Sequence, residues 1–493
     1  MEKMPDKLVD LSPCTRKQTK SNIMVNFTET SDQKDLEKFQ VKADFMKKNV
    51  LSATDPLPES FPGRCYYFSN DGCDSNDGFS PETSLKSLEM VEKLPLERGD
   101  AVLFRRGDLF RGNVSCNKDG ITFAAWGSGE KPVLCGSKRN YADPAFWEES
   151  GIPGIWVCTL PIKNAGIVSF DHDPRIIGKY DALLGVSVPR EPEMEEIPLH
   201  LKNDLEFCSD LDTDKFYIKS EQNPGSRFKR IEIGENVHIF SFRGGIREDL
   251  TVDNLHLTMT GAHGVSFLTH KRCEVRNCVI DYLGGSVLWR KGGSTMSSVM
   301  NVRYGNAVEV FGGCSGFKVW NNWIYQIYDT GITHQFHRQK DICCTQENVA
   351  YFDNLIEYCF WFFEYYNTDA KYCITRNIHV HHNFCRFGGC GWGCTPGRWW
   401  KSPMYSFMKK ADETENYLTE KNIFQFTRGI IYAHLPPVAP EGALIFKENV
   451  YIQYASERFA LWDNREIPFT RDDVATFARN VLKEEDGTYI CVR

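Results

Sequence analysis

"NNWIYQIYDTGITHQ", residues 321–335, opens on an asparagine pair, runs through an apolar stretch, and then carries Asp329, Gly331 and His334. The same order returns through the C-terminal half: DNLHL at Asn254, RNCVI at Asn277, NNWIY at Asn322, DNLIE at Asn354, HNFCR at Asn383, KNIFQ at Asn422 and ENVYI at Asn449. The first two anchors lie 23 residues apart, the next gap is 45, and later gaps are 32, 29, 39 and 27. A period in the low twenties built from short β-rich runs implies a solenoid with loops of varied length. The leucine consensus of leucine-rich repeats is missing, so a parallel β-helix fits better. The 45-residue gap reads as two rungs, with NVRYGNAVEVFGG filling the second. Asparagine suits a tight turn because it tolerates the left-handed conformation, and stacked asparagines can hydrogen-bond as a ladder. These asparagines are therefore read as structural.

Composition sets outer bounds. The chain has 493 residues, 41% hydrophobic and 25% charged, with a net charge of −8. That balance argues against a nucleic-acid partner and makes a polyanionic substrate less comfortable. No stretch reaches the roughly 20 apolar residues of a membrane span, and the N-terminus shows no secretory apolar core, so a cytoplasmic address is expected. The eighteen cysteines read as reduced thiols in that setting. Cys343–Cys344 and the Cys390–Cys394 spacing lack a second half-site, so no metal and no cofactor are expected.

Residues 1–60 read as a leader, partly helical or poorly ordered, and 61–493 as one β-helix domain with an elaborated insertion at about 139–235. At Tyr66 to Ser69 a strand begins, followed by a turn at Asn76 to Gly78 and a helix capped by Ser80 with Leu85, Leu88 and Val91 on one face. Then come Gly99 to Phe104 and Ala125 to Pro132. This order resembles the start of the pectate-lyase-like right-handed parallel β-helix superfamily, with Phe68 and Trp126 in place of its usual Val and Tyr. The resemblance implies an all-β fold, a right-handed parallel β-helix solenoid with an N-terminal capping helix, and carbohydrate as the substrate class. A cap is physically needed, since an open end would expose core and strand edges.

Strand alternation then locates chemistry. If Val308, Ile332 and Phe363 point inward on successive rungs, Glu309, Thr333 and Glu364 point outward. Carboxylates two rungs apart would stand roughly 10 Å apart. Inverting glycosidases separate acid and base by ~6.5–9.5 Å, and retaining ones by ~5 Å. Asp329, in the preceding turn, could sit between the two glutamates. His334 faces inward in this register, and a slip of one residue would expose it. The candidate catalytic set is Glu309, Asp329, Glu364 and His334. The candidate sugar-binding set is His263, Trp289, Arg303, Tyr304, Asn306, Tyr328 and Trp392, because aromatic faces and guanidinium groups beside carboxylates suit pyranose rings.

AHGVSF around His263 is similar to the Gly-His-Gly-Val-Ser element of polygalacturonase-type glycosidases, and NTD at 367–369 to their Asn-Thr-Asp. In that family the order is reversed with an Asp-Asp pair between, and here about four rungs at ~4.8 Å separate the two. Those catalytic roles are therefore not carried over. The expected function is glycoside hydrolysis of an oligo- or polysaccharide by carboxylate acid/base catalysis. The alternatives are a polysaccharide lyase, with Arg290, Lys291 or Arg303 as base, and a non-catalytic carbohydrate-binding β-helix.

Overall fold

The structure of the protein is a computed structural model. It describes residues 25–188, 201–242, 244–289, 302–335, 344–366, 373–394, 398, 402–408, 413–433, 442–462 and 464–493. The opening stretch belongs to one full turn of the coil. Lys318–Trp320 lies in a first sheet, Trp323–Ile327 in a second and Thr330–Gln335 in a third. Each pairs in parallel with the equivalent strand of the rungs before and after. Among the described residues the three sheets hold eleven, eleven and ten strands. The chain is thus a parallel β-helix, coiled in the right-handed sense that parallel crossovers take. Its interior is a continuous core from Phe68 through Ile280, Ile324 and Phe424 to Tyr489. Among the described residues no helix is long and apolar enough to cross a membrane.

The asparagine ladder is present. Asn322, Asn354, Asn383, Asn422 and Asn449 are fully buried, and each Nδ2 donates to the next Oδ1 at 2.9–3.0 Å. Glu484 ends the row by accepting from Asn449 at 2.9 Å. The left-handed residue is the one before: Asn321, Asp353, His382, Lys421 and Glu448 all have φ of 50–56°. Asn254 and Asn277 are themselves left-handed, at φ 61° and 55°, so they match Asn321, not Asn322. The sequence alignment slipped by one residue there.

The 45-residue gap is not two rungs. Glu274–Arg276 pairs directly with Lys318–Trp320, and Val279–Leu283 with Trp323–Ile327. The surplus is an antiparallel hairpin, Ser286–Trp289 against Val302–Tyr304. At its base Gly284 and Gly305 pack backbone to backbone, where an added Cβ would collide. The residues near 139–235 likewise leave the coil between Val133–Cys135 and Phe240–Phe242, building antiparallel strands over their own core of Trp147, Phe207, Phe216 and Ile218. A third excursion, of which residues 389–394, 398 and 402 are described, follows Phe384–Gly388 and precedes Pro403–Met408. All three depart at the corner between the second and third sheets and so form one wall.

The expected capping helix is broken. Ser80 does form a capping box with Thr83, but Pro81–Thr83 and Leu88–Lys93 are separate 3₁₀ turns, because Ser84 and Ser87 are extended. Leu85, Leu88 and Val91 are buried as expected. The long α-helix, Lys34–Leu51, lies instead in the leader, where Phe39, Ala43, Met46 and Val50 pack on Trp323, Tyr325, Leu355 and Phe384 of the second sheet's outer face. Before it, Asn26–Thr30 pairs in parallel with Thr488–Val492, adding an edge strand to the last rung. After it, Asp55 meets Arg106 at 2.6 Å and also bonds Asn254, near the first rungs.

Candidate active site

The third sheet presents one outward row through its paired rungs: Ser115, Ser241, Ser266, Glu309, Thr333, Glu364 and Ser406. The register expected from alternation is the one found, with Val308, Ile332 and Phe363 inward. Hydroxyls give way to carboxyls on two rungs only, and a hydroxyl stands between them. Thr333 Oγ1 is buried, and among the described residues it has no hydrogen-bond partner. It shares that condition with other buried hydroxyls of the coil, such as those of Thr258, Thr375 and Thr419, and differs from them in standing between two carboxyls.

Three carboxyls converge at this point, each in a different environment. Burial pushes Glu309 up to about 7; the Asn306 amide, which donates to it, opposes the shift, and the charge of Asp329 adds to it. Glu364 is raised well above the usual range by burial and then by the charges of Asp329 and Glu309. It accepts from Gln335 Nε2 at 2.5 Å and Thr330 Oγ1 at 3.4 Å. Asp329 is raised by burial, but Arg398 holds the charged form, with Nη2 2.8 Å from Oδ1. The charge of Asp329 thus bears on both glutamates, and that of Glu309 on Glu364.

The surroundings sort the remaining candidates. Asn306 is a hub: its Oδ1 accepts from the Thr330 N–H at 2.9 Å, and its own N–H donates to His263 Nδ1 at 2.9 Å. His263 stacks on His238 with ring centres 4.8 Å apart, and burial lowers its pKa well below the ordinary value. It therefore holds the Glu309 turn from behind as a neutral acceptor. Tyr304 lies edge-on to His263 and donates to Asn236; burial and the nearby Glu309 charge push its hydroxyl up to about 12.

Several candidates do other work. His334 is a correction: its ring is inside the coil among Tyr351, Tyr365 and Tyr417, with Nε2 3.1 Å from the Tyr417 hydroxyl. Burial lowers it to about 3, and alternation puts it on the reverse face from Thr333, so it cannot reach a substrate in the groove. Arg303 points its guanidinium into the wall and donates to Gly285 O at 2.6 Å. Tyr328 is covered by Arg398, 4.3 Å from its ring centre, and by Trp392 at 5.1 Å. Trp392 is pinned by its Nε1 to Gln326 O at 2.8 Å. These rings build the wall that holds Arg398 and are not open sugar platforms. Trp289 closes a hairpin strand, but its side chain, with Arg290, Lys291 and the motif at 367–369, lies outside the described residues.

Two contributors were missed. Gln335 shares the outward face two residues after Thr333, a periodicity signal that was available. Arg398 comes from the irregular third excursion, where spacing says nothing about direction.

No protein-family model matches the chain, and no curated protein matches it in sequence. Solved structures it is similar to include XylC in complex with xylose, at 12% identity over 87% of this chain and 70% of that one, with a TM-score of 0.49. Another is the GH136 lacto-N-biosidase from Eubacterium ramulus, at 14% identity over 87% and 67%, with a TM-score of 0.37. A third is pectate lyase Pel9A, at 10% identity over 82% and 78%, with a TM-score of 0.41. The strand register itself makes this chain a parallel β-helix.

Proposed function

We propose that the protein is a glycoside hydrolase that cleaves a glycosidic bond of an oligo- or polysaccharide laid along the outer face of the third sheet. The observation that carries this reading is the three-carboxyl cluster, in which, among the described residues, one acid is paired with a cation and two are not. Groups whose environments push their proton affinities apart divide into acid and base. Asp329, beside Arg398, is the anion that activates water or stabilises positive charge at the anomeric carbon. Glu309 and Glu364 are held toward the protonated form, and one of them protonates the leaving oxygen. The buried Thr333 hydroxyl, unpartnered among the described residues, lies between them, where it can bind a sugar hydroxyl.

A lyase needs an unengaged base for β-elimination. Both described arginines of this corner, Arg303 and Arg398, are bonded to backbone carbonyls or to Asp329. The test is a panel of glycans incubated with the protein and followed two ways. Release of reducing ends without an ultraviolet-absorbing unsaturated sugar is expected. An unsaturated product would make the protein a lyase, and binding with no product would make it a carbohydrate-binding module.

A further inference from the structure

The outer face of the first sheet carries a cluster of imidazoles away from the carboxyl row. The strand Cys373–His381 ends in Ile378, His379, Val380 and His381, and His382 and the ladder residue Asn383 follow. Val380 is buried in the core, so His379 and His381 both face outward by alternation. Adjacent residues of a strand point apart, yet His381 and His382 meet. The reason is the corner, where His382 holds the left-handed conformation at φ 56° and breaks the alternation. The two Nδ1 atoms stand 2.8 Å apart, with the rings at 85° and their centres separated by 5.1 Å.

The ring of His381 is held in place. Phe352, its partner on the preceding rung, lies parallel to it at 5.0 Å, and Trp320 lies parallel to Phe352 at 5.6 Å. Arg276 covers the end of this column, 5.7 Å from the Trp320 ring centre. The His379 and His381 ring centres are 3.9 Å apart, and His379 Nε2 lies 3.0 Å from Glu420 Oε1. Stacked rings and a carboxylate behind an imidazole are the support that keeps metal ligands oriented. His379 and His381 are half-buried and His382 is exposed, so an ion can enter from water.

Two Nδ1 atoms this close need something between them. Two lone pairs turned on one another would repel, so one Nδ1 carries a proton and the other accepts it. A metal ion can take the place of that proton and be held by both nitrogens. Two bonds of ~2.0–2.1 Å at a tetrahedral angle put their nitrogens ~3.3 Å apart, so the rings need part by only about 0.5 Å. Among the described residues no group of three or more His, Cys, Asp or Glu already surrounds one point. Two imidazole nitrogens completed by solvent oxygens therefore make the set. Such a set favours a transition metal over Mg²⁺ or Ca²⁺, whose preferred ligands are oxygens.

We propose that His381 and His382 form a binding site for a divalent transition-metal ion, Cu²⁺ more tightly than Zn²⁺, through their Nδ1 atoms. The site lies on the first sheet and the carboxyl row on the third, so it does not depend on the glycosidase reading.

The experiment is a calorimetric titration of the full, untagged chain with CuCl₂ and ZnCl₂, with MgCl₂ as competitor, and electron paramagnetic resonance of the Cu²⁺ complex. The tightest site is expected to take one Cu²⁺ at micromolar affinity or better, with Zn²⁺ weaker and Mg²⁺ without effect. His381→Phe keeps a ring stacked on Phe352, and His382→Asn keeps a residue that tolerates the left-handed corner. Each should weaken Cu²⁺ binding roughly tenfold or more and remove one of two imidazole nitrogens from the resonance spectrum. Absence of Cu²⁺ binding, displacement of Cu²⁺ by Mg²⁺, or binding unchanged in either variant overturns the site. The wild-type spectrum decides by itself as well, since two equatorial imidazoles support the pair and fewer than two overturn it.

Discussion

Arg398 Nη2 stands 2.8 Å from Asp329 Oδ1 across 69 residues of sequence, and the same guanidinium lies 3.7 Å from the centre of the Phe360 ring. Its other nitrogen donates to Tyr328 O at 2.8 Å and Gly393 O at 3.1 Å. A planar group clamped between rings and carbonyls cannot swing away, so its charge is fixed beside one carboxylate. That fixed charge separates Asp329 from the two glutamates.

Removing the clamp should therefore move a pH limb as well as lower a rate. Asp329 must be ionised to act, and Arg398 favours the ionised form. In Arg398→Ala the Asp329 pKa rises, so the acidic limb of kcat moves to higher pH. Loss of kcat at the optimum should be about a hundredfold or more, and Arg398→Lys should recover part of it. A lower rate with an unmoved limb would mean that Arg398 supports only the wall.

Glu309 governs the opposite limb. Burial sets it at about 7, so it holds its proton below neutral pH and loses it above. If it is the general acid, kcat falls as pH rises through about 7. Glu309→Gln should cut kcat by roughly 10²–10⁴ and remove that limb. A variant that keeps wild-type rates assigns the acid role to Glu364.

Much of this arrangement was legible in the sequence, and the failures have physical causes. The alternation of Val308-Glu309-Val310 and Ile332-Thr333-His334 fixed the register, because a buried face tolerates no slip. The same alternation placed His334 inside, where the tyrosine cluster holds it. The hairpin was read as a rung because its strand-like residues carry no sign of antiparallel pairing. The helix at Lys34–Leu51 showed its periodicity but not its partner, which lies on strands nearly three hundred residues later. Arg398 was invisible because an irregular segment has no period to project.

His334 offers a test of that inward placement. Its pKa is about 3 folded and 6.5 unfolded, so the unfolded chain takes up the proton first. Stability from this residue is complete above 6.5 and is lost as pH falls toward 3. His334→Phe should flatten the urea-midpoint curve over that window and leave glycan turnover unchanged. A collapse of kcat with normal stability would return the imidazole to the site.

The ladder carries stability more than chemistry. Asn383 accepts from the backbone N–H of Asn354 at 3.1 Å and its Nδ2 at 2.9 Å, and donates to Asn422 Oδ1 and Tyr351 O at 2.9 Å each. Asn383→Ala orphans these buried groups and should cost roughly 2–4 kcal/mol in urea unfolding. Asn416, whose amide donates to Asn377 at 2.9 Å on the exposed side, is the control. Its replacement by aspartate, which also tolerates the left-handed conformation held there at φ 49°, should cost under about 1 kcal/mol. Equal costs would deny the buried row any special part.

The N-terminal arm clasps both ends of the coil. Asn26–Thr30 covers the edge of Thr488–Val492, and the helix Lys34–Leu51 lays Phe39 and Met46 on the second sheet. Lys47 meets the buried Glu357 at 3.2 Å, and Asp55 then grips Arg106. Deleting residues 1–57 would bare an unpaired strand edge and an apolar face that includes Trp323 and Leu355. Exposed edges and apolar sheet faces invite association between copies. The truncated protein should elute as aggregates on gel filtration. Lys47→Met, which leaves Glu357 its bonds from Tyr180 and Trp323, should stay monodisperse with a modestly lower Tm. A truncated chain that is monodisperse with an unchanged Tm would show that the arm is an appendage and that the coil closes without it.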